Sequence, residues 1–368
     1  MKKRRLLKLI LMQTKKTFIG HNNCDCPCFI IPIKVLKKFS RDKELSESAR
    51  KAFADAARFE KEWRKAREIK LEVLLSAKKM LPSSLAIASP LPPVIPIFDC
   101  QHHNILPGVS VPNPSASLDP TCKRAFIETT AVSKFYESVF GRNSIDDAGM
   151  AMISSIHYSV NYNNAFWNGS QMTYGDGDGD IFIDFTKGND VICHELTHGV
   201  TQNTLGLTYQ DQPGGLNESI SDVFGSMFRQ WQAKQDVKHA DWLIGKDIMG
   251  PGALSRGFTC LRDMSNPAAI HCLSPQPTKF SQYRNGMDPH ESSGIPNFAF
   301  YKAAMVIGGN SWEIAGKIWY KAIAAFEPTP NMTMRQFANR TRKLAGSLFP
   351  SKPTVKAAVD KAWKDVGL

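Results

Sequence analysis

Residues 190–202 carry His194, Glu195 and His198 in the pattern H-E-x-x-H. On a helix, positions four apart lie on one face a single turn from each other, so both imidazoles can reach one ion. Glu195 follows the first of them and is free to handle a proton rather than bind metal. The flanking Val191, Ile192, Leu196 and Val200 predict a helix packed into a core, which would hold the imidazoles rigidly. The plainer alternative is a buried helix with two hydrogen-bonded histidines.

Zinc at a hydrolytic site takes three protein ligands and leaves one position for water. Glu218 lies twenty residues after His198 on what reads as a second helix, and Asp222 falls four residues later on the same face. Asp222 could accept the free N–H of a metal-binding imidazole and fix its tautomer. Both acids could instead be solvated. Their neighbours Ile220, Val223, Phe224 and Met227 predict a half-buried helix, where an unpaired acid is costly, and this favours Glu218 as third ligand.

Further motifs follow a familiar order: Tyr162-Asn-Asn-Ala-Phe-Trp-Asn-Gly169, Tyr174-Gly-Asp-Gly-Asp-Gly179, the H-E-x-x-H helix, the Glu218 segment, Leu261-Arg-Asp-Met-Ser-Asn-Pro267 and Ser293-Gly-Ile-Pro-Asn297. From about residue 98 to the C-terminus the chain resembles the thermolysin family of zinc metallopeptidases. The resemblance implies an α+β, two-lobed fold, with a mostly β N-terminal lobe, a helical C-terminal lobe and one catalytic Zn2+ in the cleft between them. It implies His194, His198 and Glu218 as ligands, Asp222 behind them, and Glu195 as the base that takes a proton from water and delivers it to the leaving amine. Tyr209 and His290 resemble the family's donors to the developing oxyanion. Arg262 resembles the arginine that binds the carbonyl beyond the scissile bond, and Asn164 and Ala165 the edge-strand residues that hold the peptide, with Trp167 packed beneath. The expected activity is an endopeptidase preferring an apolar residue after the cut. Otherwise Tyr209 is an ordinary loop tyrosine, His290 a surface histidine and Arg262 half of a structural salt bridge.

The chain departs from the family pattern in places. Before His290 it reads Arg284-Asn-Gly-Met-Asp-Pro-His290, so the acid that should orient the histidine is displaced, and Asp288 is too close in sequence to be taken as its equivalent. That departure motivates an alternative, a zinc-binding pseudo-protease that holds peptides or partners without turnover. Arg229 stands where calcium-binding relatives carry Glu, although Asp190 remains, which weakens the expectation of Ca2+. Cys193 replaces a small residue beside the first ligand and is expected to be oxidation-sensitive.

The charge places the rest of the chain. Of the 368 residues, the first 80 hold 22 Lys+Arg against 9 Asp+Glu, and the remainder 24 against 25. A nearly neutral body argues against nucleic acid as partner. Residues 1–93 read as a basic, partly helical propeptide and proline-rich linker, 94–202 as the β-rich lobe and 203–368 as the helical lobe. Residues 1–40 are expected to be irregular, although 29–36 resemble the propeptide motif of the short-propeptide, protealysin-like branch. Over 42–75, Leu45, Ala49, Ala52, Ala56, Phe59, Trp63 and Ala66 repeat at helical spacing and must bury against the body or a partner helix. Maturation is expected by cleavage within 79–97, the propeptide acting as intramolecular inhibitor or folding aid.

Cys24, Cys26 and Cys28 could offer zinc a thiolate, but exposed cysteines in a tail are the plainer reading. Cys260 and Cys272 could pair if the protein is exported. The basic, apolar start is a poor secretory signal, since Lys8 interrupts it and no cleavage site follows. The resemblance implies a secreted monomer acting on proteins or peptides, with a cytoplasmic location as the alternative. No stretch is long enough to span a membrane. A helix is expected near 131–140, a turn rather than a calcium loop at 176–180, and helices at 191–204, 217–234, 294–307, 311–325, 333–346 and 353–366, with Trp312 and Trp319 in the core.

Overall fold

The computed structural model describes residues 28–77 (side chains to residue 62), 92–325 and 327–368. The structure opens on strand β1, Cys28–Phe29, followed by helices α1, Ile33–Phe39, and α2, Glu47–Ala77. Residues 28–39 are therefore not irregular. Pro32 lies extended at φ −61°, ψ 140°, and its carbonyl accepts the N–H of Val35 and Leu36, so the chain turns from strand into helix there. The leader, Cys24, Cys26 and most of the proposed cleavage region lie outside the described residues.

Strands β2 (Ile97–Asp99), β3 (Val109–Ser110), β4 (Ser154–Ile156), β5 (Ala165–Trp167) and β6 (Met172–Tyr174) join β1 in one mixed sheet. Its spatial order is β1-β5-β6-β4-β2-β3. Strand β1 forms one edge of the sheet and pairs antiparallel with β5, Phe29 opposite Phe166. Helix α3, Pro120–Phe140, packs against this lobe. It begins eleven residues before the expected helix because Asp119 caps it, accepting the N–H of Thr121 and Cys122, with Pro120 at the first position. The 176–180 run is a turn: the Asp178 carboxylate accepts the N–H of Asp180, Ile181 and Phe182.

Helix α4 (Asn189–Gln202) is followed by the helical lobe, built from α5 (Asp211–Ala233), the short α6 (Pro251–Ser255) and α7 (Pro289–Ser292), α8 (Gly294–Ile307), α9 (Ala315–Ala324), α10 (Met334–Leu348) and α11 (Pro353–Asp365). A two-stranded ribbon joins Leu243–Ile244 to Arg262–Asp263. Trp319 stacks on Trp363 in its core, whereas Trp312 is only partly buried against it. Among the described residues no helix is long and apolar enough to cross a membrane.

The stripe of α2 buries against the chain's own body. Leu45, Ala49 and Ala56 are buried as expected, and so is Phe53, whose ring lies 6.1 Å from that of Phe182. Phe59 packs on Phe29, Phe166, Tyr158 and Tyr162. Arg256 pairs with Asp42 at 2.5 Å, and Lys34 with Glu291 at 2.8 Å. An exposed pair such as the latter contributes about 0–1 kcal/mol. Each fully buried Phe or Ile side chain contributes about 1.5–3 kcal/mol, so apolar contact holds the N-terminal unit in place.

At the far end of the sheet His157 Nδ1 lies 2.8 Å from Asp176 and Nε2 3.0 Å from Asp119. The Asp176 hydrogen bond, helped by Asp119, outweighs burial and raises the imidazole from 6.5 to about 9. A raised pKa in the folded state gives stability that is complete below the unfolded value and lost as pH rises through the folded one. With divalent ions chelated, denaturation should show stability falling between pH 6.5 and 9, and His157→Asn should flatten that fall. An equal slope in the variant would remove His157 as its source.

Candidate metal and active site

Helices α4 and α5 cross closely enough for their side chains to share one site. A Cβ on Gly225 would come within 2.7 Å of the Asp190 carbonyl, and one on Gly199 within 3.0 Å of the Trp167 ring. Gly225 therefore permits the approach that brings Glu218 and Asp222 of α5 beneath the histidines of α4, and Gly199 lets α4 lie close against β5.

His194, His198 and Glu218 each place one ligand atom within 4.8 Å of the others, and all three are buried. The two imidazole Nε2 atoms stand 3.1 Å apart. Their remaining nitrogens are committed elsewhere: His194 Nδ1 to Asp222 at 2.9 Å, and His198 Nδ1 to Asn217 at 2.8 Å and Ser221 at 3.0 Å. Burial pushes His198 down to about 3, leaving it neutral as a ligand must be. Burial would also lower His194, but Asp222 and Glu218 hold it up at about 9. That pull is positive charge demanded by two buried carboxylates, and a divalent ion would supply it. Glu218 Oε2 has no hydrogen-bond partner among the described residues. Two imidazoles and one carboxylate, with one of its oxygens unpartnered, fit tetrahedral zinc with one position open.

Glu195 is fully buried, its Oε2 accepting the Trp167 N–H at 2.9 Å and its Oε1 without a hydrogen-bond partner among the described residues. Burial raises its carboxyl well above the usual range. The Trp167 contact escapes sequence reasoning because a backbone N–H leaves no trace in residue type. Tyr209 Oη donates to Glu218 and stands 3.4 Å from His290 Nε2. His290 Nδ1 lies 2.8 Å from Asp288, so the displaced acid is replaced by one two residues away. Asp288 caps the short α7, and this start of a helix turns its carboxylate back onto the His290 ring and N–H. Burial lowers His290, but Glu218 and then Asp288 outweigh it and raise its pKa.

Asp222 collects four contacts. It accepts His194 Nδ1, Arg262 Nη2 at 2.7 Å, Arg262 Nε at 2.8 Å and Asn297 Nδ2 at 2.8 Å. Arg262 holds its carboxyl down at about 2 against burial. Arg262 is thus both half of a structural pair and a donor, through Nη1, to the Ile30 carbonyl at 3.2 Å.

The cleft holds the chain's own N-terminal segment. Ile30 N–H donates to the Ala165 carbonyl at 3.1 Å, and Ile31 N–H to Asn164 Oδ1 at 2.9 Å. Asn164 Nδ2 returns a bond to the Ile31 carbonyl, and His290 Nε2 donates to that of Phe29. Cys28 lies buried against Tyr209. Cys193, expected to be oxidation-sensitive, is instead buried with its thiol pushed up by desolvation and directed at the Phe224 carbonyl, an inert setting. Arg229 points among Asp247 at 2.7 Å, Asp190 at 3.7 Å and Asp241 at 3.8 Å.

Residues 113–202 match the thermolysin metallopeptidase catalytic domain, and residues 205–368 its alpha-helical domain. The chain belongs to the thermolysin metallopeptidase family. It is a zinc metalloendopeptidase, hydrolysing peptide bonds. An extracellular metalloprotease of Pectobacterium carotovorum subsp. carotovorum is 40% identical over 283 residues, 74% of this chain and 80% of that one. Protease PrtS of Photorhabdus sp. (strain Az29) is 40% identical over 285 residues, covering 74% and 76%. Among solved structures, the precursor of protealysin from Serratia proteamaculans matches with a TM-score of 0.77 at 34% identity, over 92% of this chain and 99% of that one. The thermolysin-like α+β fold is as expected, and with His290 held by Asp288 no observation favours the pseudo-protease.

Replacing Asp222 by Asn should weaken zinc retention by about 10- to 100-fold, the usual cost of losing a ligand's supporting carboxylate. Metal content after dialysis against graded chelator measures this. Retention equal to wild type would contradict the assignment of Asp222 as the acid that holds His194.

Proposed function

We propose that this metalloendopeptidase is made as a proenzyme, residues 1–93 forming a prosegment and linker ahead of lobes 94–202 and 203–368, with residues 28–31 closing the cleft. The observation that carries this reading is the set of hydrogen bonds on Phe29, Ile30 and Ile31. His290, Ala165, Arg262 and Asn164, the groups proposed to hold a substrate, all engage the chain's own backbone. Ile30 and Ile31 are fully buried, and so are His194, Glu195 and Glu218, so a peptide has no room in the site while the segment stays.

In the opened enzyme, a bound zinc would polarise water and the substrate carbonyl. Glu195 takes the proton from the attacking water and passes it to the leaving amine. Tyr209 and His290 donate to the carbonyl oxygen as negative charge develops on it. Ala165 and Asn164 pair with the extended peptide as an added strand, and Arg262 holds the next carbonyl. The buried Ile30 side chain supports an apolar preference just after the cut. The extracellular name of the Pectobacterium relative supports export, where Cys260 and Cys272, with sulfurs 3.7 Å apart, could pair.

Glu195→Gln keeps the shape but not the base, so turnover of an internally quenched peptide by the processed enzyme should fall at least about 100-fold with zinc retained. Unchanged turnover would end the base assignment. Asp288→Asn removes a charge that raises His290, so the alkaline limb of kcat/KM should move to lower pH. A limb that stays put would mean that His290 is not the titrating donor. Arg229 supplies the cation among Asp190, Asp241 and Asp247, so added calcium should leave the melting temperature unchanged. A rise of several degrees would contradict that.

A further inference from the structure

Away from the cleft, three strand ends bring a second ligand set together. His102 follows β2, His157 follows β4 and Asp176 follows β6. The His102 N–H donates to the His157 carbonyl at 2.9 Å, which fixes the first two together. Both histidines adopt left-handed backbone, φ 59° and 52°, a conformation uncommon for non-glycine residues. His102 Nδ1 lies 3.3 Å from Asp176, and the two imidazole centroids are 5.3 Å apart. One ligand atom from each of the three residues lies within 4.8 Å of the others.

Behind this set stands Asp119. Its carboxylate takes His157 Nε2 at 3.0 Å, which leaves Nδ1 facing Asp176 and His102. A carboxylate behind one nitrogen and a ligand position at the other is the arrangement by which proteins orient metal-binding histidines. Asp119 is itself held, because it caps α3 through the N–H of Thr121 and Cys122.

We propose that His102, His157 and Asp176 form a second site for a divalent transition metal, zinc by preference, distinct from the catalytic one. Two imidazoles and one carboxylate suit zinc, and the same donors disfavour calcium, which takes oxygen ligands. His102 is more than half exposed, so solvent can complete the coordination. Without an ion the His157 ring bridges Asp176 and Asp119 through its two nitrogens. An ion on Nδ1 would tie the ends of β2, β4 and β6 to the start of α3.

The test is zinc content of the full chain after equilibration at micromolar free zinc, with His102→Ala and His194→Ala alone and combined. The proposal expects one equivalent lost in His102→Ala, a different one in His194→Ala, and both in the combination. His102→Ala should keep its peptidase activity after processing but lose the rise in melting temperature that zinc gives the wild type. His102→Gln, which keeps side-chain bulk at the exposed position, repeats the measurement should the alanine variant fold poorly. An unchanged zinc count in both His102 variants, or wild type losing its only zinc in His194→Ala, would overturn the second site while leaving the catalytic one intact.

Discussion

The site depends on one carboxylate with no access to water. Asp222 accepts the zinc-facing histidine of one helix, both ends of the Arg262 fork and the amide of Asn297. Removing one partner of such a buried pair typically costs about 3–5 kcal/mol, because the other charge is left unpaired. Here the loss would also turn His194 loose and free the guanidinium that reaches the Ile30 carbonyl. Ligand orientation and grip on the peptide chain are thus set by the same two oxygens.

The same economy explains how the N-terminal segment is held. β1 completes the sheet at β5, an edge whose backbone would otherwise stand unpaired. Main-chain pairing makes the fit independent of most side chains, while Phe29, Ile30 and Ile31 supply apolar area at the centre of the contact. α1 and α2 then spread the contact over the β lobe through Phe53 and Phe59. The ion pairs lie at the rim, where they set orientation more than affinity. Cutting the linker would convert this association from intramolecular to bimolecular, and the segment would then be free to leave.

Much of this was legible in the sequence. His194, Glu195 and His198 declare themselves because helical spacing converts residue type directly into geometry, and the apolar neighbours of Glu218 mark it as buried. The lobe helices followed from periodicity to within a few residues at most ends. Other features depend on partners distant in sequence. β1 is two residues long and its partner lies more than a hundred residues away, although the apolar run from Phe29 to Ile31 was a signal. The early start of α3 was written in Asp119-Pro120, a capping pair that apolar periodicity overlooks. Asp288 lies too near His290 in sequence to be taken as the equivalent acid, yet a proline-started turn of helix brings an acid two residues back onto the ring. The second histidine cluster has no linear motif, because three strand ends assemble it.

The central claim is that residues 28–31 occupy the line along which a substrate lies, over a zinc site competent for hydrolysis. The most direct measurement is turnover of an internally quenched peptide by the full chain, before and after limited proteolysis in the linker, followed by adding back a synthetic peptide of residues 24–40. Activity should be low, rise on cleavage, vanish with a zinc chelator and be inhibited competitively by the peptide. Full activity in the uncut chain, or no inhibition by the peptide, would contradict the account.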